Sequence, residues 1–195
     1  MDTYTYRIGN KIYVNLTNRC SNDCEFCVRR TDAFKEIGLW LKHEPTAEEV
    51  INSFEDLDSA EEVVFCGYGE PMYRLDVMLE VAAYLKSKGK KTRVNTNGQA
   101  ELIIGPGVPE RLHGLIDTVN VSLNETSAKA YQDLCHSEFG EKAFYAMLDF
   151  AKACKQYVPR VVLSIVDVVG EESLEQAEEI AKALGVELRV RKYVK

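Results

Sequence analysis

Residues 11–27, KIYVNLTNRCSNDCEFC, pass directly from a strand-like run into a loop with three cysteines. Ile12, Tyr13, Val14 and Leu16 give 11–17 the β-branched and aromatic content of a strand. Cys20, Cys24 and Cys27 then follow as CxxxCxxC. In folds that alternate strands with helices, the loops after the strands carry the chemistry. Whether this chain alternates in that way decides how the cysteines are read.

The same rhythm recurs downstream. EVVFC (62–66), TRVNTN (92–97), TVNVSLN (118–124), RVVLSIVD (160–167) and VELRVRKY (186–193) bring the expected strands to six. Between them, 46–57 opens with Thr46 and Glu49 in capping-box positions and sets Ala47, Val50, Ile51, Phe54 and Leu57 on one helical face. Segments 72–88, 141–155 and 172–184 repeat the helical spacing, with Gly89 and Gly185 stopping the first and last. Alternation of this kind predicts α/β architecture: βαβ units around a parallel sheet. A complete eight-unit barrel takes about 250 residues. Six units in 195 residues therefore predict a partial, laterally open (β/α)6 TIM-like barrel, a single domain over 1–195. TYRIGNKIY adds an N-terminal hairpin strand within 1–10, turned at Gly9-Asn10.

Composition narrows the function classes. Hydrophobic residues make up 46% and charged residues 28%, enough for a sizeable core. MDTYTYRIGN has no basic stretch leading into an apolar run, and nowhere do eighteen uncharged apolar residues follow one another, so neither export nor membrane spanning is expected. Six cysteines without a regular framework fit a reducing, cytoplasmic compartment better than a disulfide scaffold. A net charge of -7 gives non-specific nucleic-acid binding no electrostatic support.

Strand parity singles out an inner face. Tyr13, Asn15 and Thr17; Arg93, Asn95 and Asn97; Asn120, Ser122 and Asn124; and Arg189, Arg191 and Tyr193 each share one side of their strand, opposite mostly Val, Ile and Leu. Aliphatic faces belong against helices, which leaves the polar set lining the lumen. Buried polar groups in such number need partners. Either a polar ligand satisfies them, or residues such as Arg93 and Arg189 pair with acids across the sheet.

Three thiolates in one loop leave one ligand place open. A structural zinc site closes a tetrahedron with four ligands, and the nearest further candidate is His43, sixteen residues beyond Cys27. Iron–sulfur cubanes normally take four cysteines, so three would leave one iron free for a substrate or cofactor. The loop after the next strand reads GYGEP, residues 67–71. Its glycines let backbone approach a ligand, and Glu70 offers a carboxylate suited to an ammonium group.

With CxxxCxxC and GYGEP together, the chain resembles the radical SAM superfamily from Cys20 through the last strand. The resemblance implies that Cys20, Cys24 and Cys27 hold a 4Fe-4S cluster whose fourth iron is chelated by S-adenosylmethionine (SAM). It sets Phe26 at the aromatic position associated with the adenine, and Gly67, Gly69, Glu70 and Pro71 on the GGEP motif that contacts the methionine amino group. Tyr68 stands where that motif has its second glycine. NTNG (95–98) and VSLN (121–124) resemble strand ends that reach the ribose or the methionine carboxylate, which points to Ser122 and Asn124 first and Asn97 behind them. Arg191 joins this cofactor-binding set, although Arg93, Arg189 and Arg191 equally suit a small anionic substrate.

The implied activity is that of an oxidoreductase-type radical enzyme. An electron donor such as flavodoxin or ferredoxin reduces the cluster, and SAM is cleaved to methionine and a 5′-deoxyadenosyl radical that abstracts hydrogen from a protein, peptide or small-molecule substrate. Alternatives are a glycyl-radical-enzyme activase, a peptide-modifying enzyme, or, from another class, a non-catalytic zinc or iron–sulfur module. The short chain, CEFCVRR and GLWLKHEPTAEEV look most like the small TatD-associated radical SAM proteins.

Other residues read more plainly. Cys154 is expected in the core of its helix, and Cys66 packs at a strand end, although it could approach the SAM site. Cys135 and His136 fall between two helices and are expected to lie away from the chemistry. His43 reads as a solvated or capping residue. Arg29 and Arg30 follow the cluster loop, either solvated or placed to tune it or receive an acidic electron carrier.

Overall fold

The computed structural model describes residues 2–193. A seven-stranded sheet runs in sequence order through β1 (Thr5–Ile8), β2 (Lys11–Val14), β3 (Glu62–Phe65), β4 (Lys91–Thr96), β5 (Thr118–Ser122), β6 (Arg160–Val166) and β7 (Glu187–Arg191). Only the β1–β2 pair is antiparallel; every later neighbour is parallel. The six parallel strands are those expected, and the sheet does not close. Ile8 pairs with Lys11 across Gly9-Asn10, and Gly9 has φ +60°, as a tight hairpin turn requires of its first central residue.

Helices α1 (Ala47–Asn52), α2 (Leu75–Ser87), α3 (Ala100–Ile104), α4 (Val108–Arg111), α5 (Ala128–Cys135), α6 (Lys142–Cys154) and α7 (Glu171–Leu184) fill the crossovers. Val14, Phe65, Val94, Val121 and Leu163 turn outward into one core with Val50, Met78, Leu85, Met147 and Ala177. Each such fully buried aliphatic side chain contributes about 1.5–3 kcal/mol. The inner positions are polar and also buried: Asn15, Arg93, Asn120 and Ser164. That layer is costly to desolvate, and the outer core offsets it. Among the described residues no helix is long and apolar enough to cross a membrane.

Tertiary contacts correct three expectations. The helical periodicity over 46–57 stops early, because Ser53 bonds back to Val50 O and the N-terminal hairpin takes its carbonyl through Thr5 Oγ1 at 2.7 Å. The capping box of Thr46 and Glu49 is present. The segment expected to be helical from residue 72 begins as a 3-10 turn, Pro71–Arg74, before α2. Within the expected lumenal set, Arg93 lies 3.3 Å from Glu62 on the adjacent strand, whereas Arg189, on the edge strand β7, is exposed. The edge strand lacks a neighbour to cover it.

Candidate functional site

A cavity of about 220 Å³ opens at the C-terminal ends of the parallel strands. Cys20, Cys24, Phe26 and Cys27 reach it from the loop after β2, and Gly69 and Glu70 from the loop after β3. Asn97 follows β4, Ser122 ends β5 with Asn124 just beyond it, and Arg191 ends β7. Asn124 adopts φ +60°, a left-handed conformation that asparagine tolerates better than most residues. Cys66, Asn95, Thr96, Val166, Lys192 and Tyr193 complete much of the wall. Cys66 therefore faces the cavity rather than the packed core, because its inward parity continues past the end of β3.

Gly67, Tyr68 and Pro71 do not line the cavity; they shape its loop. A Cβ on Gly67 would strike the Asn15 side chain, so glycine lets the end of β3 lie close to β2. The Tyr68 ring leans on Trp40, with centroids 6.3 Å apart. Pro71 is buried at the start of the 3-10 turn, where its missing N–H costs nothing. Gly69 is the least forgiving point, since a Cβ there would collide with backbone, the carbonyls of Thr17 and Arg19, rather than with a side chain. Gly69→Ala is expected to cost about 1–3 kcal/mol, the usual penalty of overpacking. Chemical denaturation with an unchanged m-value would measure it.

Glu70 is buried among donors. Oε1 accepts from Met72 N at 3.1 Å and Thr96 Oγ1 at 2.8 Å, and Oε2 from Asn97 N at 2.7 Å. A carboxylate has about four lone-pair sites, so one remains. Burial pushes the Glu70 carboxyl up to about 7, against the lowering effect of the Asn97, Thr96 and Met72 bonds. A cationic partner in the cavity would restore its charge.

The cysteine loop is braced by a network absent from the sequence reading. Gln99 Nε2 donates to Asn22 Oδ1 at 2.8 Å and to Tyr131 Oη at 2.9 Å, and Asn22 Nδ2 donates to the same Oη at 2.9 Å. Ser21 Oγ donates to Gln99 Oε1, and Asn97 Nδ2 donates to Ser21 Oγ, both at 2.8 Å. Their only sequence signal is a run of small polar residues beside the motifs. Removing one phenolic oxygen orphans two buried donors, so Tyr131→Phe is expected to lose about 1–3 kcal/mol and loosen the loop. Faster amide exchange at Asn22 and Gln99 would show it.

Cys135 overturns the expectation that it lies remote. Asp23 N donates to Cys135 O at 2.9 Å and Glu25 N to Leu134 O at 3.1 Å, so the end of α5 supports the residues on both sides of Cys24. Asn124 Nδ2 reaches Cys135 Sγ at 3.5 Å. The Cys24 thiol is held up by its hydrogen bond with Cys135 and then by burial, and burial pushes Cys20 up to about 12. A metal would have to displace those protons, as thiolate ligation does. Arg29 Nε lies 3.5 Å from Cys27 Sγ and its guanidinium also grips Asn18 O, so it wraps the loop, while Arg30 pairs with exposed Asp23. Cys154 is fully buried in the core, and exposed His43 bonds Glu49 at 3.2 Å.

This wall suits a three-thiolate cluster and a polar ligand. Among the described residues Asn95 Oδ1 and Asn124 Oδ1 are buried acceptors with no partner, ready for hydroxyl or ammonium donors. A single tetrahedral zinc needs ligands converging on one point, and among the described residues no three His, Cys, Asp or Glu do so; a cubane instead takes each thiolate on a separate iron.

The sequence model of the Radical SAM superfamily matches residues 14–184. The chain belongs to the radical SAM superfamily. Among curated relatives of this radical SAM chain is a Methanocaldococcus jannaschii protein named "Putative glycyl-radical enzyme activating enzyme", 27% identical over 170 residues, covering 85% of this chain and 65% of that one. GTP 3′,8-cyclase of Corynebacterium glutamicum is 27% identical over 202 residues, covering 94% of this chain and 48% of its own. The chain thus spans less than two thirds of either relative. Among solved structures, Streptococcus suis SuiB bound to its precursor peptide SuiA superposes with a TM-score of 0.73 at 16% identity, covering 96% of this chain and 40% of SuiB. That likeness bears on the fold, a partial barrel.

Proposed function

We propose that this radical SAM chain holds a 4Fe-4S cluster through Cys20, Cys24 and Cys27 and SAM through Glu70, Ser122 and Asn124, with Asn97 and Phe26 beside them. The observation that carries the reading is that the three thiols and a buried carboxylate with one free lone-pair site share one cavity. SuiB has been solved bound to S-adenosylmethionine, which is consistent with such a site on this fold. Bound together, the cluster and SAM supply one-electron cleavage chemistry that yields methionine and a 5′-deoxyadenosyl radical able to take hydrogen from a substrate.

The chain's own residues bind, orient and shield. Glu70 receives the amino group with its carboxylate fixed by three donors, so little reorganisation is needed on binding. Asn124 offers its unpaired Oδ1 to a hydroxyl, and Ser122 lies beside it on the wall. The Phe26 ring gives an apolar surface for a base to lie against. Arg29, wrapped on the cysteine loop, adds positive charge where reduction adds an electron. A ferredoxin- or flavodoxin-like donor fits that role. The names of the relatives span a protein, a nucleotide and a peptide as partners, so the cavity's remaining polar groups bear on the substrate.

Anaerobic reconstitution with iron and sulfide, followed by SAM and dithionite, tests the reading. About four irons per chain, a cluster signal by electron paramagnetic resonance that shifts with SAM, and 5′-deoxyadenosine in the products are expected. One tightly held zinc, or a cluster that never cleaves SAM, would make the cysteines a binding or structural site.

A further inference from the structure

SAM, as assigned above, leaves Arg191 without a partner. Arg191 ends β7, is largely buried and lines the cavity. Among the described residues its side chain makes no hydrogen bond or ion pair, and its Nε is buried with nothing to donate to. Nearby acids are already engaged. Glu62 serves Lys11 at 2.7 Å and Arg93 at 3.3 Å, and Asp167 receives Tyr193 N at 2.6 Å. Arg93 Nε is also buried with no partner among the described residues, although its guanidinium pairs with Glu62. Arg191 is therefore the guanidinium on the cavity wall that no acid serves among the described residues.

The SAM carboxylate is badly placed to serve Arg191. In an α-amino acid the ammonium and carboxylate sit on one carbon, so an ammonium held by Glu70 keeps its carboxylate nearby. Glu70 follows β3, whereas Arg191 ends β7, with β4, β5 and β6 between them. Both line the one cavity, which they enter from strands separated by three others, so the two reach it from different sides. Arg191 also stands on the strand at the sheet's open edge, beside Lys192 and Tyr193 of the cavity wall.

We propose that Arg191, with Lys192 beside it on the cavity wall, forms a subsite for an oxyanion of the substrate, a carboxylate or a phosphate, separate from the SAM carboxylate. The guanidinium fork binds either group through paired hydrogen bonds, and Lys192 adds a second positive charge. Burial, and then the like charges of Arg189 and Arg93, disfavour the charged guanidinium, while Cys66 opposes them. An incoming oxyanion reverses that cost. Arg191 thus passes from the cofactor set to the substrate, an inference that rests on the SAM reading of the cavity.

Calorimetry on the anaerobically reconstituted chain, saturated with SAM and without reductant, tests it with inorganic phosphate and malonate as separate probes. At least one probe is expected to bind wild type, and the tighter of the two identifies the oxyanion. Arg191→Gln should weaken that probe at least tenfold and Arg191→Lys by less, with SAM affinity kept within twofold in both. Arg160→Gln, at an exposed arginine paired with Glu187, should change neither. Circular dichroism should show both Arg191 variants folded, since the side chain has no partner to lose. If neither probe binds, or Arg191→Gln leaves probe binding intact, the subsite is refuted. Loss of SAM affinity in Arg191→Gln would return the residue to the cofactor. Failure of wild type to bind SAM would instead remove the reading on which the subsite rests.

Discussion

Cys24→Ala is expected to retain only a small fraction of the wild-type iron after anaerobic reconstitution and to lose 5′-deoxyadenosine formation by more than about a hundredfold. Removing an outer partner of a metal ligand typically costs about 10–100-fold in metal affinity or activity; removing a ligand from a site with three cysteines should cost more. Cys24 is also the best supported of the three, flanked by the bonds of Asp23 and Glu25 to the end of α5. Cys154→Ala, which empties only a buried position on α6, should keep its iron. Iron counting and product chromatography on the two variants decide the matter. Equal iron in Cys24→Ala and wild type would mean that the cluster loop has been misread.

The second large effect concerns Glu70 and runs in opposite directions for stability and for binding. Its folded carboxyl is pushed up to about 7 by burial, above an unfolded value of about 4.3. The unfolded chain therefore gives up this proton first as pH rises, and the stabilising contribution, complete below the unfolded value, is lost by the folded one. At about 1.4 kcal/mol per unit, the ligand-free chain should lose about 3–4 kcal/mol between pH 4 and pH 8 from this group. Binding a cationic amino group favours the carboxylate, so SAM affinity should rise with pH through about 7 and fall by at most about tenfold per unit below it.

Glu70→Gln should flatten both profiles. It also turns an amide N–H toward Met72 N and Thr96 Oγ1 or toward Asn97 N, which leaves at least one buried donor unpaired at about 1–3 kcal/mol. SAM affinity should drop by at least about tenfold, the usual scale for losing a charged hydrogen-bond partner. Denaturation and calorimetry between pH 5 and pH 8 on both proteins separate the effects. Parallel pH profiles would take the titration away from Glu70.

The sequence by itself determined the order of the elements and the chemistry of the cavity wall. Period-2 runs with aliphatic and polar faces, and helices stopped by Gly89 and Gly185, require a parallel sheet whose polar side turns inward, because only the aliphatic side can pack on helices. Cys20, Cys24, Cys27 and Glu70 were legible because each lies in a loop that follows a strand, and loops after strands gather at one end of a barrel. Gly9-Asn10 was legible because a two-residue turn makes a local demand on φ.

Contacts far apart in sequence decided the rest. The end of α5 meets the cysteine loop across more than a hundred residues, so nothing near Cys135 announces its neighbour Cys24. Gln99 and Tyr131 matter through hydrogen bonds to Asn22 from elements whose packing fixes their distance. Arg93 and Arg191 share an inward parity, yet one pairs with Glu62 and the other faces the cavity with no partner among the described residues. Periodicity fixes the face a side chain takes; which group waits opposite depends on how the sheet curves and where it stops.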